Sequence, residues 1–461
     1  VLLMYHLAYI FERFPSFTQT FCVREIQQLQ RMGVQPLLFS IRDTREEAIQ
    51  HFPAELMQQV HFLPQKEELT TQVRQWKDAH ALPKAAALVL RHWRDQPDKA
   101  RVYEAAYIAK IIADLPAEQR PYHAHSHFAG VGARTCWWLR KFTGMSYSFT
   151  AHANDIFCQP EDETVPFASL FEEAALVISV SDYSVRQLQQ RFPQVAPRIC
   201  RVYNGMDLTP FITARQNANR SRSAGGILSV GRLIPKKGYP DLIRACAYLR
   251  DWGIPFQSAI VGEGPLETEL RTLINQLELQ QQVKLIGPLS LVEIRRRLVE
   301  ETQIFALACA TESDGGRDNL PTVLMEAMGA SLPCVSTQLA GVPEMVIPSV
   351  TGYLTAEAQP EAFAQHLATL LKDTALCEKL GTAGLAHAQA HFATKVTGRS
   401  LLHAFASHSG LRAPPALLNQ HPDLRPQLRK RWWKRWTTPQ LKHKPQTASS
   451  KHFDLAHFIK G

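Results

Sequence analysis

The sequence predicts an α/β protein of two lobes, each a parallel sheet with helices on both faces, followed by a basic, Trp-containing tail. Three observations carry this. Short apolar strands alternate with helical stretches along most of the chain, the rhythm of strand–helix–strand units. A polar stretch, Thr213 to Gly226 (TARQNANRSRSAGG), interrupts the rhythm and an apolar strand restarts it, which marks a boundary between two lobes. At 461 residues with 45% apolar content, the chain is too long for one ordinary core and rich enough to bury two.

The elements follow in order. An apolar strand is expected over Val1 to Tyr5, then a Phe-rich connection, FERFPSFTQTF, and an amphipathic helix from Val23 to Arg31 that ends at Gly33. A second strand, Gln35 to Ile41, precedes helical stretches between about residues 66 and 115. Strands are expected at Tyr122 to Phe128, Ser146 to Thr150, Ala175 to Val180 and Ile199 to Tyr203, with a helix through Trp137 and Trp138. The second lobe opens with the strand Gly226 to Val230, then GRLIPKKG and a helix from Tyr239 to about Trp252. It continues through FQSAIVGEGP, a helix over 266–279, VKLIGPLS, a helix from Leu291 and a strand at Gln303 to Ala308. After Phe363 the pattern is helical. The domain reading is 1–210 for the first lobe, 211–390 for the second, 391–411 for a helix returning toward the first, and 412–461 for the tail.

Net charge is +9, and eight positive residues with no acid among them lie between Arg425 and Lys444, so the rest of the chain is near neutral. Trp432, Trp433 and Trp436 are interleaved with these cations, a mixture suited to an anionic bilayer surface. A packed C-terminal helix is the plain alternative, and nucleic acid is not expected. The eight cysteines form no C-x2-C pair, which argues against a zinc site or disulfide framework and for a reducing cytoplasm. No apolar run approaches the roughly 20 residues that span a bilayer. The expected location is cytoplasmic, peripheral on the inner face of the plasma membrane; because the chain opens with Val1, residues ahead of it are expected.

The segment Ser313 to Val346, SDGGRDNLPTVLMEAMGASLPCVSTQLAGVPEMV, is the richest in chemistry. Gly315 and Gly316 permit positive φ, Asp318 or Asn319 can cap a helix, and Pro321 suits its first position. A helix beginning near Leu320 would present free N–H groups to a phosphate or diphosphate. Glu326 falls inside that helix among Val323, Leu324, Met325, Ala327 and Met328. A carboxylate there needs hydrogen bonds, from a pair of ribose hydroxyls or from neighbouring backbone or arginine.

Asp318 and Glu326 are separated by seven residues. This resembles the E-x7-E signature of the retaining family 4 glycosyltransferases, with Asp for the first Glu, and the whole block resembles that family's exopolysaccharide branch of colanic-acid-type enzymes. The resemblance runs in order through residues 1–400 and implies the GT-B fold, two Rossmann-like lobes facing across a cleft. It implies a nucleoside diphosphate sugar as donor, a glycan or polyprenyl-linked oligosaccharide as acceptor, and no metal or other cofactor. Arg232 and Lys237 in GRLIPKKG resemble the Arg and Lys that hold the donor diphosphate; Asn319, Leu320 and Glu326 complete the donor-binding set. YSFTAHANDIF resembles the family's S-x-T-x-H-x-x-D segment, which gives His152 a place near the anomeric carbon, with Thr150 and Asp155 able to fix its tautomer. His152 and Asp318 are therefore the catalytic candidates. HSHFA resembles H-A-H-F-A and FPSFTQTF resembles F-P-x-x-S-E-T-F, which puts His127, Thr18 and Gln19 on the acceptor side. YNGMD, Tyr203 to Asp207, resembles the entry to the interlobe linker and reads as hinge support.

HAHSHFAG offers His123, His125 and His127, yet strand geometry argues against a metal. Residues two apart on one face lie nearly 7 Å apart, so His123 and His127, at roughly 13 Å, cannot share one ion. Two other readings compete for the whole chain: a hydrolase or epimerase of nucleotide sugars with the same architecture, and a non-catalytic scaffold docked on the membrane.

Overall fold

The computed structural model describes residues 7–92, 98–157, 167–218 and 225–408. The first sheet has seven parallel strands: β1 (Leu7–Arg13), β2 (Leu37–Arg42), β3 (Val60–Phe62), β4 (His123–His127), β5 (Ser146–Ala151), β6 (Leu176–Ser179) and β7 (Ile199–Arg201). Their order is β3-β2-β1-β4-β5-β6-β7. The second has six: β8 (Gly226–Val230), β9 (Gln257–Val261), β10 (Val283–Gly287), β11 (Ile304–Leu307), β12 (Cys334–Thr337) and β13 (Gly352–Thr355), ordered β10-β9-β8-β11-β12-β13. All named pairs are parallel, so each sheet presents its loops for ligands at one edge, beyond the carboxyl ends of its strands.

The first described strand is Leu7–Arg13, which takes in residues expected in the connection after Tyr5; the strand expected over Val1 to Tyr5 lies outside the described residues. The cause is that Val1 to Phe11 is almost uninterrupted apolar sequence, as befits a central parallel strand covered on both faces, and periodicity cannot place a strand within such a run. The connection that follows is correspondingly shorter. The helical stretch before β4 is three helices, Lys66–Asp78, Lys84–His92 and Lys99–Asp114. The polar stretch between lobes begins inside a helix, Thr209–Asn217, and the helix expected near Leu320 begins at Thr322. The basic tail lies outside the described residues.

The chain passes between the lobes twice, side by side. Met206 N–H donates to the Phe392 carbonyl at 2.8 Å and Thr394 N–H to the Met206 carbonyl at 3.1 Å. Beyond this crossing the helix Thr394–His408 lies against the first lobe, where Leu401, Leu402 and Phe405 share one apolar cluster with Leu7, Tyr9 and Phe11. Phe405 packs on the rings of His123 and His125, with centroids 5.7 and 5.1 Å apart. No helix among the described residues is long and apolar enough to cross a membrane.

Candidate active site

The site lies where the carboxyl ends of both sheets meet. On the second lobe, β8 ends in Gly231 and exposed Arg232, and a single 3-10 turn, Pro235–Lys237, leads through Gly238 into the helix Tyr239–Asp251. Gly238 has φ 62°, and a Cβ there would collide with the Ala308 carbonyl, so the turn can seat against the end of β11 only with glycine. That seating brings Lys237 to Asp318: Nζ to Oδ2 is 2.5 Å, with the two side chains 14% and 15% exposed. Burial works against the Lys237 charge, but Asp318 outweighs it and raises the amine above its ordinary range. The Lys expected to hold a diphosphate and the Asp expected to position a sugar are thus partners of each other. Arg232 makes no ion pair among the described residues.

Asn319 and Leu320 sit differently from expectation. The Asn319 side chain is buried, its Oδ1 accepting from Ser181 Oγ of the first lobe at 2.7 Å and its carbonyl accepting from Gly341 N–H at 2.9 Å; its Nδ2 has no partner. It is a strut between lobes. Leu320 is a core residue of the second lobe, packed in the cluster that includes Leu324 and Met325. Neither Asp318 nor Asn319 caps the helix Thr322–Gly329. Pro321 holds the cap position with no side-chain hydrogen bond, because its extended backbone (ψ 109°) ends the loop one residue later than the Pro-first pattern implies. The N-terminal amides of that helix remain without a side-chain cap.

Glu326 is half-buried and makes neither a hydrogen bond nor an ion pair among the described residues. Burial pushes its carboxyl up to about 7, against a smaller opposing pull from the Arg24 guanidinium of the first lobe. The arginine of the plain reading is therefore present as a nearby charge, while the hydrogen-bonding capacity of the carboxylate is unspent.

On the first lobe the three histidines of β4 face one way and pair in register with β5. His123 bonds Ser146 and Ser148 through its two nitrogens (2.8 and 2.7 Å), and His125 bonds Ser148 and Thr150 (2.7 and 3.2 Å). His123 is held neutral by burial, which pushes it down to about 3. His127 is different. Its Nε2 meets Glu25 Oε1 at 3.1 Å and its Nδ1 meets His152 Nε2 at 3.1 Å, while Tyr9 Oη donates to the same Glu25 oxygen at 2.6 Å. Burial opposes the His127 charge, yet adjoining Cys22 and Glu25 overcome it and raise the ring to about 10. An imidazolium donates from both nitrogens, so His152 accepts through Nε2 and carries its proton on Nδ1. Burial, then the His127 charge, keeps His152 itself neutral.

This corrects two expectations. His127 is buried with both nitrogens engaged and supports His152 from beneath; it does not line an acceptor surface. The His152 tautomer is set by His127: Thr150 bonds His125, and Asp155 accepts the His152 backbone N–H at 2.8 Å. Thr18, exposed, and Gln19 lie in the 3-10 turn Phe17–Gln19 after β1, where Thr18 Oγ1 bonds Ser16 Oγ at 3.1 Å.

Glu25 was not singled out from the sequence. Its signal was there: in TFCVREIQQLQR it lies three residues from Cys22 and four from Leu29, on the apolar stripe of the helix Thr20–Arg31, where a carboxylate is out of place. Glu25, His125 and His127 also bring ligand atoms within 4.8 Å of one another, a set that spacing along β4 alone could not reveal. Each of the three is engaged in the hydrogen bonds above.

The lobes are joined around the site. Glu344 accepts from the backbone N–H groups of Asp182 and Tyr183 (2.8 and 2.9 Å) and from Tyr203 Oη (3.0 Å), so a second-lobe carboxylate caps the first-lobe helix Asp182–Arg191. Arg317 lies over the Phe157 ring at 4.8 Å. Arg24 Nε donates to the Gly205 carbonyl of the linker at 3.0 Å.

Two Rossmann-like parallel-sheet lobes meeting in this way form the GT-B architecture of glycosyltransferases. The glycosyltransferase from Rickettsia africae ESF-5 superposes with a TM-score of 0.62 at 15% identity, covering 87% of this chain and 97% of its own. Anabaena Alr3699/HepE in complex with UDP gives a TM-score of 0.58 at 18% identity, covering 87% and 99%. Within this fold, residues 213–387 match the family Glycosyl transferases group 1. WcaL of Escherichia coli (strain K12), whose name places it in colanic acid biosynthesis as a glycosyltransferase, is 35% identical over 206 residues, 44% of this chain and 50% of that protein. The amylovoran biosynthesis glycosyltransferase AmsK of Erwinia amylovora is 38% identical over 175 residues, 38% of this chain and 43% of its own. The chain thus spans about half the length of these relatives.

Two outcomes are expected from the site as described. Glu326→Gln removes a carboxylate whose folded-state pKa lies above its unfolded value, so the unliganded wild type loses stability as pH rises from about 4.5 to 7 and the variant does not. At pH 8 the variant should melt higher by about 2–4 °C, the effect of about 1 kcal/mol in a domain of this size, and the gap should close at pH 5. Equal melting at pH 8 would refute the unpaired carboxylate. Glu25→Gln removes the carboxylate beside His127, so NMR of the ring nitrogens should show His127 losing its proton at lower pH than the value of about 10 in the wild type. An unchanged titration would mean that Glu25 does not hold that proton.

Proposed function

We propose that the protein is a retaining hexosyltransferase of family 4 that moves a sugar from a nucleoside diphosphate sugar to a hydroxyl of a glycan or polyprenyl-linked oligosaccharide in exopolysaccharide biosynthesis. The observation that carries this is the convergence at one edge of the second sheet of Arg232, the Lys237–Asp318 pair, an uncapped helix start at Thr322 and the unspent carboxylate of Glu326; Asp318 is next in sequence to Arg317, which lies over Phe157 of the first lobe. The names of WcaL and AmsK and the UDP bound in Alr3699/HepE support the same reading.

In this mechanism Arg232, Lys237 and the helix amides take the charge that builds on the departing diphosphate. Protein cations do what a metal ion does elsewhere, and no cofactor is needed. Glu326 accepts from the ribose hydroxyls. Asp318 and His152 Nδ1–H hold sugar hydroxyls as positive charge develops at the anomeric carbon. The bond from that carbon to the β-phosphate oxygen breaks, the acceptor oxygen bonds the same carbon from the same face, and the acceptor proton passes to the departing phosphate. Thr18 and Gln19, at the carboxyl end of β1, contact the acceptor. Residues 425–444 hold the enzyme on an anionic membrane surface, on the cytoplasmic side.

A thermal-shift screen of nucleotide sugars should find one that raises the melting point by mass action. With that donor, Arg232→Ala or Lys237→Ala should each cut turnover by about 10²–10³, the usual loss of one stabilising group at a developing anion. If both variants keep wild-type affinity and rate, the diphosphate assignment fails; sugar release that is indifferent to added acceptor would favour the hydrolase. For the tail, a protein ending at Leu411 should no longer float with liposomes containing anionic lipid while retaining donor turnover. Flotation of the shortened protein would remove the membrane role from residues 425–444.

A further inference from the structure

A cavity of about 420 Å³ opens at the carboxyl ends of β1, β2 and β3, apart from every residue assigned above. Four cations line it, Arg13, Arg42, Lys66 and Lys99, with two acids, Asp43 and Glu104. Both acids already have partners. Asp43 is gripped by Arg45, whose Nε lies 3.0 Å from each carboxylate oxygen, and buried Glu104 accepts from Arg101 at 2.7 Å and Thr135 at 3.2 Å. Arg13 is paired with Glu47 at 2.5 Å. Arg42, Lys66 and Lys99 are left with no ion-pair partner among the described residues, so the cavity carries an unbalanced positive charge.

Two further features add to it. Lys66 and Lys99 are the first residues of the helices Lys66–Asp78 and Lys99–Asp114, and neither helix has a side-chain cap at its N-terminus, so the positive ends of two helix dipoles point where the lysines stand. One wall is apolar, formed by Leu63, Leu69 and Tyr103. Cations gathered in a partly apolar hollow repel one another and focus a positive potential that a bound anion relieves.

Its position says which anion. In the strand order β3-β2-β1-β4-β5, β2 stands three places from β5, about 14 Å at the spacing of neighbouring strands. His127 ends β4, and His152 follows β5 at the same edge of the same sheet. A short glycan spans that interval. Resting on the reading that the His152 side of the first lobe receives the acceptor, we infer that this cavity binds an anionic group of the acceptor, a diphosphate or a sugar carboxylate placed a short glycan's length from the reacting hydroxyl. The acceptor is then an acidic or phospho-linked glycan, and a neutral one is discriminated against by the charge it leaves unmatched.

The test is calorimetric titration of the full chain with inorganic diphosphate, methyl glucuronoside and, as neutral control, methyl glucoside, each with and without saturating UDP to occupy the donor site. The inference requires that at least one of the two anions bind the UDP-loaded protein and the glucoside not bind. In Arg42→Gln/Lys66→Gln/Lys99→Gln, whose three side chains are exposed and leave the core intact, that anion should bind at least about tenfold more weakly, while UDP binds within about twofold of wild type. Preference for diphosphate assigns a phospho-linked acceptor, and preference for the glucuronoside an acidic sugar. Binding of neither anion, equal binding of the glucoside, or undiminished binding by the triple variant overturns the inference. Should the wild type bind no UDP, the donor carries another base, the donor reading is decided by the nucleotide-sugar screen, and the titrations without UDP, compared between wild type and triple variant, still decide the cavity.

Discussion

Two adjacent side chains, Asp318 and Asn319, face in opposite directions, and the site depends on what each reaches. Asp318 turns into its own lobe and fixes the Lys237 amine; Asn319 turns out and bonds Ser181 of the other lobe. Lys237 is mostly buried, and such a cation with no counter-charge would be expensive or would lose its proton. At an effective dielectric near 20, two unit charges 4 Å apart are worth about 4 kcal/mol, enough to set where the amine rests. A ligand that enters here has to satisfy both ends of the pair at once, with negative charge for Lys237 and hydrogen-bond donors for Asp318. A sugar attached to a diphosphate carries both, in adjoining parts of one molecule; a free sugar or a free phosphate carries one and strands the other.

The first lobe solves a similar problem by a different arrangement. A buried imidazole usually stays neutral, as His123 does, because nothing nearby compensates its charge. His127 differs from His123 by four residues on the same face of the same strand, and the difference is Cys22 and Glu25 on the neighbouring helix. Glu25 brings the charge and Tyr9 shares its oxygen. The result is a fixed chain from Tyr9 through Glu25 and His127 to His152, which leaves His152 with one proton in a defined place. Phe21 and Phe128 pack on the His152 ring at 4.8 and 4.5 Å and hold its plane. The ring is thus oriented by packing and its tautomer by charge, so that a sugar meeting Nδ1 finds a donor already aimed.

What the sequence disclosed follows the physics of locality. The alternation of strands and helices and the second-lobe elements rest on patterns within a few residues, and these were legible. That a strand runs from Leu7 to Arg13 was not legible, because the apolar run it belongs to has no punctuation. The start of the Thr322 helix moved because loop and cap compete for the same residues, Asp318 and Asn319, and tertiary partners took both. Contacts between distant segments were out of reach. Nothing in HAHSHFAG says that His127 will meet a glutamate from residue 25, and nothing in GVPEMV says that Glu344 will cap the helix Asp182–Arg191. Such residues share one recognisable trait, a charged side chain on an apolar stripe, which marks a residue with a partner elsewhere without saying where.

The helix Thr20–Arg31 repeats the division of labour seen at Asp318 and Asn319. Glu25 serves the buried chain that ends at His152, whereas its neighbour Arg24 donates to the Gly205 carbonyl in the linker and offsets part of the charge of Glu326 in the other lobe. Consecutive residues on one rigid element therefore address the histidine of the first lobe and the carboxylate of the second. Arg24 thus ties this helix to the linker by a hydrogen bond, while its charge acts at longer range on a half-buried carboxylate of the other lobe.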